Sequence, residues 1–110
     1  MRRLVDLYHS RPELVSEQSG WTKTITLVST DRGDAIAVRL VDGKIVSCEE
    51  APHGGASGDV IVSSDFATLA DVLALKRSPN EPYVFGDLTV RGAEADFTRL
   101  DYLLTRLADR

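Results

Sequence analysis

The residue types best suited to catalysis lie in a glycine-rich segment, residues 51–58. His53 begins a His-Gly-Gly run of the kind that forms oxyanion holes in hydrolases. Such hydrolases also place a serine in a Gly-x-Ser-x-Gly turn, whereas Ser57 has Gly55 before it but Asp59 after it. Neither histidine of the chain shows the local signature of a Ser-His-Asp triad. We therefore interpret the segment as a connection between strands and predict no enzymatic activity, with catalysis by the His53 loop as a rival hypothesis.

Metal and nucleotide sites are not indicated either. The candidate soft ligands His9, His53 and Cys48 lack the paired spacing of structural zinc sites. The glycines of residues 51–58 match neither the Walker phosphate loop nor the dinucleotide fingerprint. We predict no metal and no cofactor.

Composition restricts the possible partners. The chain has 110 residues, the length of one domain, and a net charge of -4. Nucleic-acid binding depends on clustered Lys and Arg, so this charge disfavours it. A single cysteine fits a reducing cytosol, and no apolar run approaches a membrane span, so we expect a cytoplasmic protein. Arg2 and Arg3 leave weak contact with an anionic membrane surface open.

Several elements precede the glycine-rich segment. Leu4, Leu7 and Tyr8 have helical spacing, and a capping box from Ser10 to Glu13 predicts a second short helix. From residue 21 to residue 50, alternating apolar residues predict three antiparallel strands, the last two joined by a hairpin turn at residues 42–43, an Asp-Gly pair.

Residues 58–92 read as strand, helix, short helix and strand. Residues 60–62 and 88–90 have strand patterns, and we predict that they are neighbours in one sheet. Thr68 and Asp71 have capping-box spacing for the first helix. Ser78 as N-cap and Pro79 at the first helical position predict the second, which should end at Gly86. A last amphipathic helix follows from residue 94.

These signals, in this order, resemble the SCP-2 sterol-transfer (sterol carrier protein 2-like) family. The carrying residues are Asp59 opening a strand, the helix of residues 69–75, Pro79, the aromatic-apolar residues 83–86 and the strand of residues 88–92. The resemblance implies an α/β domain of the α+β type over residues 1–110. Its five-stranded mixed sheet should be covered on one face by helices.

The same resemblance implies a function without catalysis. It is the binding or transfer of a hydrophobic small molecule, such as a lipid or a fatty-acyl or sterol-like compound, in an apolar cavity. The implied wall residues are Leu69, Val72, Leu73, Tyr83, Val84, Leu100, Leu103, Leu104 and Leu107. The alternative is an accessory or regulatory module of the same fold with a packed core, acting as a homodimer or on a partner enzyme.

Overall fold

The computed structural model describes residues 2–50 and 58–108. In these ranges two helices come first, followed by four strands, two more helices, a fifth strand and a last helix. The order is α1 (Arg2–His9), α2 (Pro12–Glu17), β1 (Lys23–Ser29), β2 (Ala35–Val41), β3 (Lys44–Glu50), β4 (Val60–Ser64), α3 (Phe66–Leu73), α4 (Asn80–Phe85), β5 (Leu88–Gly92) and α5 (Glu94–Ala108).

The five strands form one mixed sheet in the order β3-β2-β1-β4-β5. Strands β1, β2 and β3 pair antiparallel, as the alternating pattern predicted. Strand β4 lies parallel to β1, and β5 pairs antiparallel with β4, with Val62 opposite Val90. The predicted sheet neighbours are therefore confirmed, and the five-stranded mixed sheet agrees with the expected fold class.

The turn between β2 and β3 fixes the position of α1. Asp42 and Gly43 have φ angles of 50° and 81°, as a type I′ hairpin requires. A Cβ atom on Gly43 would lie 2.6 Å from the carbonyl oxygen of Gln18, so the close approach also demands glycine. The Tyr8 hydroxyl donates to the carbonyl of Gly43. One Asp-Gly pair thus joins the sheet to the first helices.

The predicted cap of α3 is wrong. Asp65, not Thr68, is the N-cap: its side chain accepts from the Thr68 backbone N–H at 3.0 Å and from the Thr68 hydroxyl at 2.7 Å. The helix ends at Leu73, because Leu75 takes a left-handed φ of 63°. Helix α3 consequently begins three residues earlier and ends two residues earlier than the predicted range of residues 69–75.

Two other predicted caps also need correction. Helix α2 has Arg11 at its N-cap and no side-chain capping bond, because the Ser10 hydroxyl donates to the Leu7 carbonyl instead. Helix α4 begins at Asn80, so Pro79 occupies the N-cap rather than the first helical position, although the Ser78 hydroxyl accepts the Asn80 backbone N–H at 3.3 Å as a capping side chain would. Its predicted end at Gly86 is confirmed, since Gly86 has a φ of 84°.

Two clusters of buried side chains make up the core of the described residues. The first joins the sheet to Leu69 of α3 and Phe97 of α5. The second joins Tyr8 of α1 and Leu14 of α2 to the C-terminal half of α5. Ile45 and Leu100 pack against both clusters. The boundary between the two clusters is where the candidate site lies.

Candidate ligand-binding site

An apolar cavity of about 60 Å³ lies between the sheet and the helices. Alternation along the strands directs one set of branched side chains to its floor. The floor residues are Ile25, Leu27, Val38, Leu40, Val62 and Leu88. Helices α1, α3 and α5 close it from above. The helical residues are Leu4, Tyr8, Leu69, Val72, Leu73, Leu100, Leu103, Leu104 and Leu107.

Among the described residues that line this cavity, Tyr8 and Trp21 are the two with a polar side-chain atom, and both atoms are hydrogen-bonded. The Tyr8 hydroxyl is bonded to the Gly43 carbonyl, and burial raises the pKa of this phenol, which keeps it neutral. The Trp21 indole N–H donates to Asp96 Oδ1 at 3.0 Å. Among residues 2–50 and 58–108, no buried side-chain nitrogen or oxygen lacks a hydrogen-bond partner. The described lining of the cavity therefore offers hydrocarbon contact and no unpaired buried side-chain nitrogen or oxygen.

Seven of the nine residues implied by the family resemblance surround this cavity. They come from two helices that contribute Leu69, Val72, Leu73, Leu100, Leu103, Leu104 and Leu107. In α5 these side chains recur every three or four positions, which places them on one face of the helix. The amphipathic pattern of α5 thus brings four leucines to the same space.

The structure does not bring Tyr83 and Val84 to the cavity. Pro82 of the six-residue helix α4 is buried, and so is Pro79 at its N-cap, three positions earlier on the same side. Val84 lies about 200° around the helix from Pro82 and is 69% exposed. Tyr83 is 39% exposed and packs against the Phe97 ring, with 4.9 Å between ring centroids. We therefore leave both residues out of the candidate site.

The floor of the cavity is the part that the sequence prediction missed. The resemblance implied residues of the helices, so none of the sheet residues was named. Yet the alternation of Ile36, Val38 and Leu40 against more polar neighbours was visible in the sequence and indicates one buried face. Trp21, Ile45 and Pro79 also line the cavity without having been predicted.

The residues considered for chemistry do not form a site in the described structure. His53 and Ser57 lie outside the described residues. Cys48 is exposed on β3. Within residues 2–50 and 58–108, no group of three or more His, Cys, Asp or Glu side chains could hold a metal ion. No helix in the same two ranges is long and apolar enough to cross a membrane.

Solved structures share this architecture over nearly the whole chain. A Thermus thermophilus protein described as possibly a sterol carrier protein superimposes with a TM-score of 0.70 at 19% identity, covering 98% of this chain and 85% of that one. Sterol carrier protein 2 gives 0.69 at 19% identity, covering 96% and 93%. The chain has an SCP-2-like fold. Palmitated SCP2L2 of Aedes aegypti gives 0.64 at 15% identity, covering 93% and 91%.

At these identities the likeness shows the fold alone. No protein-family model matches the sequence, and no curated protein matches it significantly. The SCP-2-like fold therefore rests on the arrangement of the five strands and their helices.

Proposed function

We propose that this chain binds and transfers a hydrophobic small molecule of lipid type, a fatty-acyl or sterol-like compound, and catalyses no reaction. The observation that carries the proposal is the apolar lining: none of the described residues that line the cavity is charged, and the two that carry a polar side-chain atom, Tyr8 and Trp21, are already hydrogen-bonded. Such a lining favours ligands that need no polar recognition inside the protein.

Burial of hydrocarbon supplies the affinity. Each buried methylene contributes about 0.8 kcal/mol, so ten methylenes offer roughly 8 kcal/mol before the costs of ordering and association. The cavity of about 60 Å³ is smaller than the roughly 300–1,000 Å³ of typical ligand pockets. Binding therefore requires the helices to move away from the sheet, along the boundary between the two core clusters.

The structural neighbours support a lipid ligand. Two of them are sterol carrier protein 2 and a protein described as possibly a sterol carrier protein, and a third was solved in a palmitated form. These shared folds make lipid binding or transfer the function most consistent with an apolar cavity, and they favour a carrier over an enzyme.

Native mass spectrometry tests the proposal. Freshly purified protein should carry a co-purified lipid that organic solvent extracts, and delipidated protein should take up one palmitate per chain. Leu100→Phe adds volume inside the cavity and should reduce uptake, whereas Val84→Phe at an exposed position of α4 should not. Absence of any lipid and of palmitate uptake would favour the packed-core interaction module. A hydrolytic activity lost on His53→Ala would favour the enzyme.

A further inference from the structure

A second hollow, here called the outer groove, opens between helices α1 and α2 and the edge strand β3. Its volume is about 560 Å³, far larger than that of the inner cavity. The residues that line it are His9, Pro12, Val15, Ser16, Lys44, Ile45 and Val46. The outer groove therefore combines apolar side chains with an imidazole and an ammonium group.

Ile45 separates the outer groove from the inner cavity. It is a lining residue of both hollows, and it packs against both core clusters. Its side chain is half-buried rather than locked in the core. The outer groove and the inner cavity thus share a wall residue at Ile45, and Leu4 and Tyr8 of α1 line the inner cavity.

His9 holds α1 at this position. Its Nε2 atom accepts the backbone N–H of Ile45 at 3.2 Å, so Nε2 carries no proton in this arrangement. Neutral imidazole then has its N–H at Nδ1, which is a hydrogen-bond donor. His9 is exposed, so this N–H can donate to a ligand in the outer groove, which Lys44 also lines.

Lys44 supplies the positive charge. Among residues 2–50 and 58–108, no carboxylate forms an ion pair with it. The two glutamates of the adjacent helix α2 already have cationic partners: Glu13 pairs with Arg11 at 2.8 Å and Glu17 with Arg106 at 3.2 Å. Lys44 is exposed, which leaves its ammonium group able to meet an external anion.

We propose that the outer groove takes the anionic headgroup of an amphiphile whose hydrocarbon chain passes Ile45 into the inner cavity. This deepens the proposed function and rests on it. A carboxylate or phosphate cannot enter the apolar cavity without losing its hydration, since no unpaired polar side chain among the described lining residues replaces the water. The Lys44 ammonium and the His9 N–H provide charge-assisted hydrogen bonds for that headgroup outside the cavity.

Matched twelve-carbon probes separate the headgroup from the chain. Dodecanoate, dodecyl phosphate and dodecan-1-ol are titrated into delipidated protein below their micellar concentrations, with the fluorescence of Trp21 as the signal, because it lines the cavity and is the sole tryptophan. Lys44→Gln should lower the affinity for both anions roughly fivefold, which is the effect expected of an exposed charge pair. It should leave the affinity for dodecan-1-ol unchanged. Lys76 is an exposed lysine outside the groove, so Lys76→Gln removes the same charge and should leave the affinity for both anions unchanged.

The outcomes distinguish this inference from the function on which it rests. Equal effects of Lys44→Gln and Lys76→Gln, or an equal loss for dodecan-1-ol, would overturn the headgroup site and leave lipid binding in place. If Lys44→Gln lowers the affinity for only one of the two anions, the groove is assigned to the headgroup of that anion. If butyrate binds as tightly as dodecanoate, the hydrocarbon chain contributes nothing, and the inference that the ligand is an amphiphile is overturned. Failure of wild-type protein to bind any twelve-carbon probe would overturn both proposals.

Discussion

Trp21 and Asp96 join the two walls of the cavity: the indole N–H of Trp21 donates to Asp96 Oδ1 at 3.0 Å. Trp21 lies two residues before the start of β1, and Asp96 lies in the first turn of α5. Lys23 approaches the other carboxylate oxygen at 3.8 Å, and the guanidinium of Arg99 lies 5.4 Å from the centre of the Trp21 ring. This contact fixes the start of α5 over the sheet while its C-terminal half covers the cavity.

Asp96→Ala should destabilise the protein by about 1–3 kcal/mol, because it leaves the part-buried indole N–H without its acceptor. Asp96→Asn keeps a side-chain oxygen at the same place and should cost less than about 1 kcal/mol, mainly through the loss of the partly buried, 3.8 Å pair with Lys23. Urea unfolding followed by circular dichroism measures both. Equal losses in the two variants would show that the hydrogen bond from Trp21 is not what anchors α5.

The cap of α3 makes stability depend on acid pH. Hydrogen bonds from Thr68 lower the pKa of Asp65, so the stability gained from its charge is present above the unfolded pKa of about 3.9 and is lost as the pH falls through the folded value. Asp65→Asn keeps an acceptor for the Thr68 N–H, so it should flatten the acid slope of unfolding free energy with little loss at pH 7. Asp65→Ala should lower stability at pH 7 as well. Unfolding midpoints from pH 2 to pH 7 provide the test, and an unchanged acid slope in Asp65→Asn would contradict it.

Truncating a leucine that lines the cavity should lower the free energy of unfolding less than truncating a leucine of the packed core. Leu104 lines the cavity and has fewer partner atoms on that side, so Leu104→Ala should cost on the order of 1 kcal/mol in ligand-free protein. Leu14 belongs to the same core cluster, is fully buried and does not line the cavity, so Leu14→Ala should cost about 2–5 kcal/mol. Denaturant melts of the two variants measure the difference. A loss of 2–5 kcal/mol for Leu104→Ala as well would contradict the expected difference.

The sheet was readable from the sequence because its signals are local. Alternation in residues 35–41 and the Asp42-Gly43 pair each predict one conformation, and the structure has both. The cap of α3 was misread because Asp65 and Thr68 both carry capping oxygens, and the sequence alone does not show which of them folds back on the helix. That choice depends on where β4 ends, which is a tertiary property.

The candidate site was only half predictable for a similar reason. The fifteen residues of α5 define an apolar face through several turns, so Leu100 and Leu104 could be named. The six residues of α4 span less than two turns, which is too short a segment for periodicity to show that Pro82 is buried and Val84 exposed. The outer groove depends on α1 meeting the edge of β3, and no local pattern predicts that contact.

The most direct test of the central claim is the stability of wild-type protein with and without dodecanoate. A ligand that binds only the folded state should raise the free energy of unfolding by about 2.7 kcal/mol at a hundredfold excess over its Kd. Urea melts of delipidated protein measure this increment, and Leu100→Phe, which fills the cavity, should reduce it. An increment near 2.7 kcal/mol that shrinks in Leu100→Phe is the result expected of a lipid-binding cavity. No increment in wild type, at any dodecanoate concentration below its micellar limit, would contradict the account.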